Sequence, residues 1–226
     1  MSSQDPLAHA AKQAIHTGDV ESLRRILAEN PHLATGRIDG QRTLLHIATD
    51  WPGHFPNSPA AIQTLVAHGA DIDAPFLGAH AETPLHWAAS SNDIAALDAL
   101  CQAGADLEAP GAVIGNGTPI ADAVAFAQWE AARRLLHYGA LTTLWQSAAL
   151  GLMDRLEAGL ATVPPPAREQ ISKAFWFACH GGQRAAAELL LHHGADLNWI
   201  GYDNLSPLQA ALRAKAADLS SLFPQN

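Results

Sequence analysis

Basic charge is scarce in this chain. Of its 226 residues, 13 are Lys or Arg and 22 are Asp or Glu, for a formal net charge of −9. Only Lys12, Lys173 and Lys215 are lysines, and the arginines are scattered apart from Arg24–Arg25 and Arg133–Arg134. No basic stripe exists, so nucleic-acid binding lacks its electrostatic footprint. The acidity reads as solubility. Long apolar runs are missing as well. None approaches the ~20 residues of a membrane span. Met1 to Ala14 contains no apolar secretory core, so a cytoplasmic location is expected. Cysteine occurs only at Cys101 and Cys179. The register below puts them three repeats apart, roughly 30 Å at ~10 Å per helix layer. A disulfide needs Cα atoms within ~7 Å, so both are read as free thiols of a reducing compartment. β-branched residues are sparse beside Ala and Leu, which favours helices. Finally, there is no phosphate loop, no dinucleotide glycine fingerprint and no Gly-x-Ser-x-Gly elbow. No cofactor is expected.

What the chain has instead is repetition. Thr83-Pro84-Leu85-His86-Trp87-Ala88-Ala89 is echoed by Thr43-Leu44-Leu45-His46-Ile47-Ala48, Thr118-Pro119-Ile120 and Ser206-Pro207-Leu208-Gln209-Ala210-Ala211. A second segment recurs as Leu65-Val66-Ala67-His68-Gly69-Ala70-Asp71, Leu100 to Asp106, Leu135 to Ala140 and Leu190 to Asp196. The Thr or Ser hydroxyl suits a helix N-cap, and proline fits the first helical turn. The Ala-Ala pair lets helices approach closely, and the glycine suits a left-handed helix end.

In both halves, and over nearly the whole chain, these segments resemble the ankyrin repeat. The resemblance implies an all-α solenoid of about seven helix–turn–helix repeats with short β-hairpin tips. One domain, 1–226, is expected, with repeats at approximately 7–40, 41–80, 81–116, 117–143, 144–166, 167–203 and 204–226. The fifth repeat lacks a hairpin and leaves through Pro164-Pro165-Pro166. The chain is also similar to small cytoplasmic bacterial proteins made solely of ankyrin repeats, a likeness that brings no established activity.

Function is sought where the repeat is broken. From helix-ending glycine to the next Thr or Ser is twelve residues between Gly194 and Ser206, but fourteen for Gly69 to Thr83 and Gly104 to Thr118. The two enlarged tips, Pro75 to Glu82 and Pro110 to Gly117, carry apolar residues where a turn is normally polar. The second repeat is interrupted by Trp51-Pro52-Gly53-His54-Phe55-Pro56-Asn57-Ser58, stiffened by its prolines. All three irregularities fall in repeats two to four. By family resemblance they lie on the concave edge, where Trp51, Trp87, Phe126 and Trp129 would surround Asp50, His54 and Asp122. The tryptophans either wall a ligand cleft or pack the inter-repeat core.

The twelve histidines mostly have structural readings. His46 and His86 occupy the signature position, where ankyrin histidines hold neighbouring turns. Ala121 and Trp176 replace them in the fourth and sixth repeats, where that bond is expected to be lost. His68, His137, His192 and His193 sit at helix C-termini, which favour positive charge. No metal spacing appears, and no metal is expected. His16, His54, His80 and His180 remain as contact candidates.

The resemblance implies a protein-binding module that uses groove and tips. Its candidate contacts are Trp51, His54, Phe55, Phe76, Leu77, His80, Trp87, Val113, Ile114, Asp122, Phe126, His180, Trp199, Tyr202 and Asp203. The alternative is a small-molecule or catalytic cleft, in which Asp50 or Asp122 is the base and His54 its proton partner. A third possibility is a scaffold that dimerises through its apolar tips.

Overall fold

The computed structural model describes residues 2–223. These residues form fourteen α-helices and two short 3-10 helices. The chain divides into two compact units, residues 1–140 and 141–226. The first unit holds four helix pairs. They are α1 (Pro6–Thr17) with α2 (Val20–Glu29), α4 (Leu44–Thr49) with α5 (Ser58–Ala67), α6 (Pro84–Ser90) with α7 (Ile94–Gln102), and α8 (Pro119–Ala125) with α9 (Trp129–Tyr138). A single turn, α3 (His32–Thr35), follows the first pair. The second unit holds three pairs: α10 (Leu144–Ala149) with α11 (Met153–Leu160), α12 (Arg168–His180) with α13 (Arg184–His192), and α14 (Pro207–Arg213) with a 3-10 helix at Ala217–Leu222. Seven helix–turn–helix repeats are thus present, in an all-α fold.

Stacking explains the composition. In the first unit the leading helices form one row, α1 on α4, α4 on α6 and α6 on α8. The trailing helices α2, α5, α7 and α9 form the other. The second unit repeats the plan with α10, α12 and α14. Small residues fill the seams, since Ala48, Ala88, Ala89, Ala121 and Ala123 are all fully buried. Leu65, Leu100, Leu135 and Leu190 provide the apolar mass of the trailing helices and are also fully buried. One helix pair cannot cover its own apolar face, so each unit is stabilised chiefly between neighbours. The helix-ending glycine at 139 takes the left-handed conformation (φ 103°), and its N–H closes onto the carbonyls of Leu135 and Leu136.

The tips differ from strand ladders. Among the described residues, pairing is confined to an isolated bridge between Ile38 and Arg42. The enlarged tips close with single backbone bonds, Phe76 N–H to Glu82 O (2.7 Å) and Ala112 N–H to Gly117 O (2.9 Å). Pro75 and Pro110 lack the N–H that a further rung would use.

Candidate ligand groove in repeats two to four

The insertion of the second repeat is tied to the repeats on both sides. Asn57 Nδ2 donates to Gly18 O (2.9 Å), and the Phe55 ring stacks on His16 at 4.4 Å. A side chain at Gly18 would meet Pro56 O at 2.5 Å, so only glycine admits this approach. On the other side the His54 N–H donates to Asp93 Oδ2 (2.6 Å). Asp93 is fully buried and also caps α7 by accepting from Ala96 N–H (3.1 Å). His54 Nε2 lies 3.3 Å from Ser91 O. These bonds hold the loop in place.

The signature histidines connect repeats. The N–H of Thr83 donates to His86 Nδ1 (3.0 Å), and that of Thr43 to His46 Nδ1 (3.3 Å). The proton therefore sits on Nε2, which reaches the residue before the next cap: Glu82 O for His46 (3.0 Å) and Gly117 O for His86 (3.3 Å). Burial pushes both imidazoles down to about 4, so they are neutral at physiological pH.

Between these anchors lies a cavity of about 440 Å³. It is lined by Thr49, Asp50 and Trp51 of the second repeat, by Val113 of the enlarged tip, and by Phe126 and Gln128 of the fourth repeat. Glu82, Trp87, Ser90 and Ser91 of the third repeat complete the lining. Trp51 is 82% exposed, Phe126 49% and Val113 36%, so the rim presents apolar surface to solvent. Trp87 is held in place by the edge of His46 (4.9 Å) and by Phe76 (5.5 Å).

Glu82 is the centre of this site and was not among the residues expected there. Its carbonyl accepts from His46 of the second repeat. Its carboxyl interacts with the Trp87 side chain of the third and with Asp122 of the fourth. Asp122 is fully buried, and its Oδ1 accepts the Val113 N–H of the enlarged tip (3.1 Å). Its Oδ2 is buried without a hydrogen-bond partner. Two adjoining carboxyls away from water cannot both ionise cheaply. Burial, and then the Glu82 charge, push Asp122 up to about 8, and burial raises Glu82 as well. At neutral pH the pair therefore holds a proton and one negative charge.

A family profile for the ankyrin repeat matches residues 80–109, the stretch that carries Glu82 and Trp87. No match was found among curated proteins. Among solved structures, the crystal structure of the human ASB11 ankyrin repeat domain is similar. It shares 21% identity with a TM-score of 0.56, over 99% of this chain and 100% of that one. The chain contains an ankyrin repeat at 80–109 and has the fold of an ankyrin-repeat domain.

Within the ankyrin frame, the expected site residues divide into three groups. Asp50, Trp51, Trp87, Val113 and Phe126 do converge on the cavity. Leu77 and His80 stay exposed on the third tip, with Leu77 52% accessible and His80 near the Glu82 carboxylate. The others have different work. His54 is no proton partner for Asp50, because its ring is drawn to Ser91 and Asp93, and Asp50 pairs with Arg42 instead (2.8 Å). Asp122 is not an open base, because it is buried and holds the fourth tip. Phe55 is committed to His16, and Phe76 turns back onto Trp87. Ile114 is half-buried, and Trp129 opens α9 outside the cavity wall.

The second unit has its own aromatic cluster. Trp145 packs on Phe177 (4.2 Å), and Tyr202 meets both Trp176 (5.8 Å) and Phe177 (5.5 Å). His180, expected as a contact residue, is buried and stacks on Trp176 at 5.3 Å. Trp199 is half-buried, and Asp203 is exposed and paired with Arg213 (2.5 Å). One expectation is corrected here. Trp176 does not forfeit the ankyrin bridge. Its indole N–H donates to Leu205 O (2.8 Å), the residue before the next cap, just as His46 reaches Glu82. In the fourth repeat Ala121 has no such group, and Thr118 makes no side-chain cap bond. Among the described residues, no group of three or more His, Cys, Asp or Glu could hold a metal ion, and no helix is long and apolar enough to cross a membrane.

Proposed function

We propose that the chain binds a partner protein through the groove of repeats two to four, with the third and fourth tips as flanking contacts. Ankyrin repeats are general protein-interaction modules, which makes protein the first class of ligand to consider. The observation that carries the reading is the exposed rim of Trp51, Val113 and Phe126 around one cavity. Large apolar side chains are usually withdrawn from water. A contiguous set left exposed marks a contact surface, and aromatic residues dominate binding energy at such surfaces. The loop bearing Trp51 is held by bonds to two neighbouring repeats, so little ordering entropy is lost on binding.

The test is retention of proteins from a host extract on the immobilised chain, compared with a Leu77→Ser, Phe126→Ser variant. Both side chains are about half exposed, so folding should be unaffected. A specific partner should be retained by the native chain and lost at least tenfold by the variant, as for hot-spot removal. Equal retention by both chains would overturn the reading.

A further inference from the structure

We infer that the cavity between Trp51, Trp87 and Phe126 is a cation site that takes the guanidinium or ammonium group of an arginine or lysine side chain of the bound partner. The inference rests on the protein-binding reading and adds the chemistry of the anchor.

Three features lead to it. The first is the wall. Trp51 and Phe126, both exposed, and Trp87 all line the same space. Indole and phenyl faces attract a cation within about 6 Å, more strongly where water is excluded. The second is the charge. Glu82 lines the cavity, and Asp122 interacts with it. Asp50, at the side, is already matched by Arg42 at 2.8 Å. The uncompensated negative charge is therefore that of the Glu82–Asp122 pair, and no Lys or Arg lines the cavity. The third is size. A volume of about 440 Å³ is at the small end of ligand pockets. It fits one long side chain and is too small for a helix. A neutral apolar anchor would cover the aromatic walls but desolvate the Glu82 charge without supplying a cation, at a cost. An acidic anchor would be repelled by it. A long basic side chain satisfies both, its stem on the rings and its head on Glu82.

The purified chain should be titrated with N-acetyl-arginine amide, N-acetyl-lysine amide and the neutral N-acetyl-citrulline amide, following tryptophan fluorescence and calorimetry. Both cations should bind saturably, and citrulline at least about tenfold more weakly. Glu82→Gln and Trp51→Ala should each weaken the cations by about the same factor. Val163→Ser, 96% exposed and in the other unit, should not. Because Trp51 is 82% exposed, its replacement leaves the fold intact even if Glu82→Gln does not. Citrulline binding as tightly as arginine, or Trp51→Ala binding unchanged, would overturn the inference. A retained partner that N-acetyl-arginine amide fails to displace would overturn the cation anchor while leaving the protein-binding reading intact. Probe binding without any retained partner would overturn the partner as the source of the cation.

Discussion

The two units solve one stacking problem with different chemistry. In both units a side chain of one repeat donates to the carbonyl just before the next helix cap. In residues 1–140 the donors are the imidazoles of His46 and His86. In residues 141–226 the sixth repeat uses the indole of Trp176, and the fifth places Gln146 at the same position. Gln146 accepts from the Thr143 N–H (2.7 Å), as the histidines do for their own caps. Imidazole and indole both supply this bond, and the fourth repeat, with Ala121, stacks without it. The choice has consequences, because imidazole titrates and indole and amide do not.

Removing the indole should produce the largest effect. Trp176 is buried, spans to Leu205, and sits so close to Gly201 that a side chain there would strike the indole. Trp176→Ala should cost about 3–5 kcal/mol in urea unfolding, the range for loss of a buried aromatic. Amide exchange should place that loss in the second unit. A cost below ~1 kcal/mol would mean that the bridge is dispensable.

Acid should separate the units next. His46 and His86 are held near 4, below the ordinary 6.5, so the neutral form belongs to the fold. The stability they contribute is complete above about 6.5 and is lost as the pH falls through 4. The first unit should lose exchange protection before the second over that interval, by on the order of 1–3 kcal/mol. His46→Gln with His86→Gln, copying the side chain of the fifth repeat, should flatten the response. A slope unchanged in the double variant would assign the acid sensitivity elsewhere.

The smallest effect concerns the carboxyl pair of the first unit. Asp122 keeps its proton to about 8 in the fold, whereas an unfolded aspartic acid releases it near 4. The folded chain binds more protons between those values, so stability falls as pH rises across them and levels off above. Asp122→Asn preserves an acceptor for Val113 and donates to Glu82 without ionising. It should gain about 1 kcal/mol more at pH 8 than at pH 4, roughly 2–4 °C in Tm. An equal change at both values would contradict a shared proton.

The repeat itself was legible in the sequence because its signals are local. Thr83, Pro84 and His86 form a cap within one helical turn, and Gly139 ends a helix by its own backbone conformation. The site was only half legible. Trp51, Trp87, Val113 and Phe126 stood out as apolar residues in irregular places. Glu82 did not, because nothing in a tip sequence says that its carboxylate turns toward Asp122, forty residues on. His54 looked like a partner of Asp50 from its position in the insertion. The buried carboxylate of Asp93 draws its backbone and ring the other way.

By itself the sequence determined that the chain would be helical, acidic and repetitive, since capping, turn chemistry and apolar spacing act over a few residues. Tertiary structure alone decided which groups ended up sharing a site. Stacking brings residues about forty positions apart into contact, and burial then changes what they are chemically. It keeps His46 neutral, leaves one proton between Glu82 and Asp122, and lets an indole stand in for an imidazole.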